Sequence, residues 1–145
     1  MRSLFILLLF TSLSTVYSQE KLPNIIIMIG DGMGLTQISS GMYANNNNTA
    51  LQGFEYVGLS KTHALDKLVT DSAASGTAMA CGVKTYNGVI GIDGKNKSHP
   101  SILEICQKKG YKTGLVATSS IVHATPASFY ACLLYTSPSP RDVCS

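Results

Sequence analysis

The sequence is poor in charge and in aromatic residues, and it contains no tryptophan. Charged residues make up 13% of the 145 residues and aromatic residues 8%, whereas about 25% charge is usual for a globular protein. This low charge, together with 45% hydrophobic residues, excludes an intrinsically disordered chain, which needs the opposite balance. The net charge of +3 and the lack of a Lys/Arg run argue against nucleic-acid binding.

Cysteine is also scarce, and none of the four has the paired spacing of a zinc site. Cys81 and Cys106 have small or apolar neighbours, so a disulfide bridge and two buried thiols are both compatible with the pattern. Cys132 and Cys144 fall in a C-terminal segment of different character.

The N-terminus has the parts of a secretory signal peptide. Arg2 gives a basic start, residues 4–10 form an unbroken apolar run, and Val16 and Ser18 offer a tolerable cleavage site. The alternative is a buried N-terminal strand or helix, whereas a membrane span is disfavoured because the run is too short. We expect residues 1–18 to be a signal peptide, the protein to be secreted or periplasmic, and no membrane span to remain after cleavage.

Apolar patterns from residue 23 onward predict an α/β fold. The β-branched run at residues 25–29 is typical of a strand buried on both faces of a parallel sheet. Further strands are predicted over residues 54–59 and 111–118, and helices over residues 35–42, 72–82 and 101–109. The predicted class is a doubly wound, mainly parallel sheet flanked by helices.

Three segments carry residues suited to catalysis or metal binding. In open α/β sheets, sites form at the C-terminal ends of strands, and Asp31 directly follows the first strand as a hard ligand for Mg²⁺ or Zn²⁺. Ser72 lies at a predicted helix start, where a phosphate is favoured and where a base or metal would make it a nucleophile. His123 and Thr125 follow the last strand, and their spacing on an extended segment points both side chains the same way.

Each of these segments also has a structural interpretation. Asp31 could be a turn residue satisfied by backbone amides, and Asp71 or Ser72 could simply cap a helix. A single histidine such as His123 is more often a structural residue than a ligand. No G-x-S-x-G elbow surrounds Ser72, which disfavours an α/β-hydrolase.

Taken together, the segments resemble the alkaline phosphatase family. The resemblance rests on Gly30–Gly34, Asp71–Ala78 and His123–Ala127, in that order and at suitable spacing. It covers about residues 23–131. The Asp-Ser-Ala-Ala-Ser-Gly-Thr-Ala stretch is specific, whereas Gly-Asp-Gly-Met-Gly is shared more widely among related metal-dependent hydrolases.

The resemblance implies a function and a role for each residue. It implies hydrolysis of phosphate monoesters through a phosphoserine intermediate at a site of two zinc ions and one magnesium ion. Ser72 resembles the nucleophile beside a zinc ion, and Asp71 resembles the supporting residue that orients an arginine. Asp31 resembles the carboxylate that bridges zinc and magnesium, and His123 and Thr125 occupy positions of magnesium-site residues. Small phosphate monoesters are the implied substrates, and a homodimer is the implied assembly of the full-length protein.

The chain departs from the family pattern after Ala131. The phosphate-binding arginine and the remaining zinc ligands do not follow, and residues 132–145 are Ser/Pro-rich and resemble a translated sequencing adapter. We expect residues 19–131 to be the N-terminal part of an alkaline phosphatase domain with an incomplete sheet, and residues 132–145 to be a non-native tail. Whether such a truncated portion is active stays open. The alternatives are a related metal-dependent phosphodiesterase or phosphomutase, or an inactive metal-binding fragment.

Overall fold

A computed structural model describes residues 23–131 and 133–134, so the predicted signal peptide and most of the predicted tail lie outside the described residues. The elements follow one another in this order: α1 (Leu35–Ala44), a 3-10 turn (Ala50–Gly53), α2 (Ser72–Cys81), β1 (Val89–Ile90), α3 (Ile102–Lys108), α4 (Ala124–Ala127) and β2 (Leu133–Leu134).

The helix predicted over residues 72–82 is confirmed as α2, and both of its ends have a physical cause. Asp71 is the N-cap, and its side chain accepts the N–H of Ala74, which satisfies one of the amides that a helix start leaves unpaired. Gly82 ends the helix in the left-handed region with φ of 71°, a conformation that glycine adopts without steric cost.

The other two predicted helices are also confirmed. In α3, the Ser101 hydroxyl accepts the N–H of Glu104 at 3.2 Å and donates to the carbonyl of Phe129 at 2.6 Å, so the cap also anchors the chain that follows α4. In α1, the N–H of Gly34 donates to the Gln37 side chain at 3.0 Å. No residue of α1 is fully buried, and Ile38 and Met42 on its apolar face are half-buried.

The predicted strands at residues 25–29, 54–59 and 111–118 are wrong for this structure, because these segments form neither helix nor strand. The first was expected to be buried on both faces, yet Ile26 is 84% exposed. A strand exists only when its N–H and C=O groups pair with a neighbour. Within the described residues these segments are not paired in a sheet, and their apolar side chains are exposed or half-buried.

The described sheet consists of β1 and β2, which pair antiparallel with Val89 opposite Leu134 and Ile90 opposite Leu133. Residues 133–134 therefore form a strand inside the segment 132–145. The assignment of that segment as a non-native tail stays a prediction.

The core lies where α2, β1 and α4 meet. It consists of Ala73, Ile90 and Ala127, and the small alanine side chains allow the two helices to approach closely. Thr77 joins α2 to β1, because its fully buried hydroxyl donates to the carbonyl of Val89 at 3.2 Å and accepts the N–H of Gly91 at 3.1 Å.

Two further expectations concern thiols and membranes. Cys106 is a free thiol, so no disulfide joins it to Cys81. Across the residues that the structure describes, we find no helix with the length and apolar character needed to span a bilayer.

Candidate active site

Asp31 lies in a tight turn formed by residues 30–33. The turn closes when the N–H of Met33 donates to the carbonyl of Gly30 at 3.2 Å. Gly32 occupies it with φ of 67°, a backbone conformation that favours glycine. The turn directs the exposed Asp31 carboxylate toward the start of α2, as the contacts with Ser72 show.

Ser72 is the first residue of α2, and its hydroxyl donates to the Asp31 carboxylate. Ser72 Oγ lies 3.0 Å from Oδ1 and 3.2 Å from Oδ2 of Asp31, although 41 positions separate the two residues. The predicted proximity of the first two segments is therefore found in the structure. Because Asp71 caps the helix, the Ser72 hydroxyl is not needed for capping.

Thr125 binds the same carboxylate. Its Oγ1 donates to Oδ2 of Asp31 at 2.7 Å, so two hydroxyl groups and one carboxylate meet at one point. Their geometry differs from the expectation, because residues 123–125 are not an extended segment. His123 is the N-cap of α4 and Thr125 lies within that helix, since Pro126 is compatible with a first helical turn.

His123 lines a cleft at the site together with Ser72, and within the described residues it does not contact Asp31 through a hydrogen bond. The cleft has a volume of about 230 Å³ and is lined by Asp71, Ser72, Ala73, Gly88, His123 and Ala124. It opens at the start of α2, where unpaired amides and the helix dipole favour a bound anion.

Asp71 faces the main chain. Its Oδ1 accepts the N–H of Ala74 at 2.8 Å and its Oδ2 accepts the N–H of Gly88 at 2.6 Å. The capping interpretation of Asp71 is therefore confirmed. The proposed contact with an arginine stays a prediction, because it requires a residue outside the described part of the chain.

Sequence reasoning missed Asn87. Its Oδ1 accepts the N–H of Asp71 at 3.1 Å and its Nδ2 donates to the carbonyl of Val69 at 3.1 Å. The only available signal was the Asn87-Gly88 pair, a common turn dipeptide, and that signal points to a turn rather than to a contact with the site.

The donor set decides which metal the site suits. Asp31, Ser72 and Thr125 supply oxygen atoms, which Mg²⁺ prefers. Zinc sites use three or four ligands drawn from His, Cys and carboxylates, and no group of three such residues occurs among the described residues. The residues present therefore fit part of a magnesium site, and zinc binding requires further ligands.

Known proteins of similar sequence are alkaline phosphatases. The family model for alkaline phosphatase matches residues 22–136. Alkaline phosphatase 3 of Bacillus subtilis is 44% identical over 121 residues, which are 77% of this chain and 26% of the relative. The Escherichia coli alkaline phosphatase is 44% identical over 124 residues, which are 79% of this chain and 26% of the relative. The chain thus spans about a quarter of the length of these relatives.

Solved structures confirm the α/β fold class. The alkaline phosphatase of the Antarctic bacterium TAB5 superposes with a TM-score of 0.68 at 50% identity, covering 72% of this chain and 30% of the TAB5 chain. A variant of the TAB5 enzyme, with a TM-score of 0.69 and 49% identity over 72% of this chain and 30% of its own, has Mg bound in the M3 site.

Proposed function

This chain belongs to the alkaline phosphatase family, and on that premise we propose that the whole protein hydrolyses phosphate monoesters with Ser72 as nucleophile. One observation carries the proposal: Ser72 Oγ lies at 3.0 and 3.2 Å from the Asp31 oxygens at the start of α2. A serine hydroxyl attacks only when a base or metal activates it. The Asp31 carboxylate is the group that Ser72 already contacts.

The reaction proceeds in two displacements. Ser72 Oγ forms a bond to phosphorus, the ester P–O bond breaks, and the alcohol leaves with the proton that Ser72 gives up. Water then attacks the phosphoserine, inorganic phosphate leaves, and the Ser72 hydroxyl is restored. The start of α2 favours the phosphate before and after each step, because Ser72 and Ala73 line the cleft and a helix start attracts anions.

Asp31, Thr125 and His123 are the proposed metal ligands of this chain. Asp31 would be shared between a zinc ion and the magnesium ion, with Thr125 and His123 on the magnesium side and Ser72 beside zinc. When bound, two zinc ions and one magnesium ion would supply charge stabilisation for the attacking and leaving oxygens. Because the described residues hold no complete zinc set, the remaining ligands must come from elsewhere in the protein.

Asp71 would support the nucleophile in two ways. It holds the first turn of α2 through Ala74 and the neighbouring turn through Gly88. We further propose that it orients an arginine that binds the phosphate, supplied from outside residues 19–131. The contacts with the main chain leave room for such a partner because a carboxylate offers about four acceptor positions.

The wider proposals follow from the family and from the sequence. We propose that residues 1–18 are a signal peptide, that residues 132–145 are not part of the enzyme, and that the protein is secreted or periplasmic. The substrates would be small phosphate monoesters, and the whole protein would be a homodimer.

The test is to trap phosphate on the protein. The whole protein, incubated with ³²P-labelled phosphate at mildly acidic pH and quenched, should carry label on the peptide that contains Ser72. Ser72→Ala should lose the label and lower kcat by at least about 1,000-fold, as nucleophile removal does in other hydrolases.

Ser75→Ala is the matched control, since Ser75 lies in the same helix and donates its hydroxyl only to the carbonyl of Asp71 at 2.7 Å. Label that persists on Ser72→Ala would disprove Ser72 as the nucleophile. A preference of the wild type for diesters over monoesters would instead favour the phosphodiesterase alternative.

A further inference from the structure

The turn at Asn87 and Gly88 is hydrogen-bonded to the backbone that precedes Ser72. Asn87 accepts the N–H of Asp71 and donates to the carbonyl of Val69, both at 3.1 Å. One carboxamide thus satisfies a donor and an acceptor two residues apart, which its oxygen and NH₂ group allow. The Asn87 side chain thus makes the same kind of donor and acceptor contacts to residues 69–71 that a neighbouring strand would make.

The same turn is also hydrogen-bonded to the side chain of Asp71. The N–H of Gly88 donates to Oδ2 of Asp71 at 2.6 Å, while Oδ1 accepts the N–H of Ala74 inside α2. The main chain and the carboxylate of Asp71 are therefore both tied to residues 87–88. Ser72 is the next residue, so the turn sets where its Cα lies and the bond to Asp31 sets where its hydroxyl points.

We propose that Asn87 is a positioning residue for the nucleophile, one that holds Ser72 for attack without contacting the substrate. The inference rests on the proposed role of Ser72. Attack depends on placement at the ångström scale, and a displacement of about 1 Å can cost about 100-fold in rate. Asn87 is exposed, so its loss should disturb placement more than folding.

The experiment compares Asn87→Ala and Asn87→Asp in the whole protein. Asn87→Ala removes both hydrogen bonds. Asn87→Asp keeps an acceptor for Asp71 but loses the donor to Val69 and adds a negative charge beside the Asp71 carboxylate. Both should lower kcat about 10-fold while KM stays within about 2-fold of wild type, the pattern of a lost transition-state contribution. Asn96→Asp, at an exposed turn asparagine whose N–H donates to the carbonyl of Asp93, should behave as wild type.

A merely structural role would give a different result. If labelled phosphate counts fewer active sites in Asn87→Ala but each site works at the wild-type rate, Asn87 only stabilises the fold and the proposal fails. Wild-type kcat in Asn87→Ala would also overturn it.

Hydrogen exchange without substrate separates this inference from the proposed function. The amides of Asp71 and Gly88 should exchange faster in Asn87→Ala than in wild type. Unchanged exchange overturns the contact itself, whereas a wild type that hydrolyses nothing overturns the role of Ser72.

Discussion

At the scale of single residues, one carboxylate organises the candidate site. Asp31 accepts the hydroxyl of Ser72 on both oxygens and that of Thr125 on Oδ2. Hydrogen bonds to a charged group are shorter and stronger than neutral ones, and the 2.7 Å contact of Thr125 fits that pattern. The hydrogen bonds among Asp31, Ser72 and Thr125 therefore hold together three segments that are far apart in the sequence.

These residues could be predicted, but their contacts could not all be predicted. Asp31, Ser72 and Thr125 stand within local motifs whose order indicates a shared site. Asn87 bonds to a residue 16 positions away, and no local pattern encodes such a bond. The orientation of His123 was mistaken because a strand was expected to continue, whereas residues 124–127 begin a helix.

A second carboxylate gives a prediction about pH. The pKa of Asp93 is lowered to about 2 by the hydrogen bond from His99, then by those from the N–H groups of Lys97 and Lys95. Because this pKa lies below the ordinary value of about 3.9, Asp93 stabilises the folded state above about pH 4, and this contribution is lost as the pH falls toward 2. Asp93→Asn should therefore lower the unfolding midpoint at pH 7, and its difference from wild type should shrink between pH 4 and pH 2.

Asp66→Asn is the control for that measurement, since among the described residues the Asp66 carboxylate has only a long ion pair, with the exposed Lys67 at 4.0 Å. It should leave the midpoint unchanged throughout. A constant gap between wild type and Asp93→Asn down to pH 2 would contradict the assignment.

At the scale of elements, the contact between α2 and α4 brings Thr125 to the site. Gly76 makes that contact possible, because a Cβ added there would lie 2.6 Å from Ser128 Oγ and 3.5 Å from Thr125 Cα. Gly76→Ala should force α4 away from α2 and destabilise the protein by about 1–3 kcal/mol, the usual cost of overpacking. Urea unfolding of the whole protein measures this loss.

Gly41→Ala is a matched control inside α1. Nothing lies within 4 Å of a Cβ added at Gly41, so the change should stabilise by about 0.5–1 kcal/mol through helix propensity. Adding Ser128→Gly to Gly76→Ala should recover part of the loss. If the double variant is no more stable than Gly76→Ala, contact with Ser128 is not the cause.

Helices could be predicted from this sequence because their signals are local. Ser101 and Glu104 mark the start of α3, and Gly82 marks the end of α2, each within one turn of the element. The strands depend on partners far away along the chain. The run at residues 25–29 has strand character, yet pairing requires neighbours that no part of the described chain provides.

At the scale of the whole molecule, apolar surface is distributed unevenly. The core of Ala73, Ile90 and Ala127 is small. Residues 25–28 and 54–59 expose several large apolar side chains, and Val116 is fully exposed. Burial of one such side chain is worth about 1.5–3 kcal/mol. Exposed patches of this kind favour association.

Residues 19–145 should therefore associate, and sedimentation velocity should show species larger than the monomer that increase with concentration. Val57→Lys combined with Leu59→Lys should raise the monomer fraction, because both side chains are exposed, at 88% and 100%, and added charge opposes apolar contact. Asn47→Lys, which adds charge at an exposed polar position, should change association far less. A wild-type chain that is monomeric at all concentrations and unfolds cooperatively would show that these apolar segments are covered within the chain itself. If Asn47→Lys raises the monomer fraction as much as the double variant at residues 57 and 59, net charge rather than loss of apolar contact would explain the change.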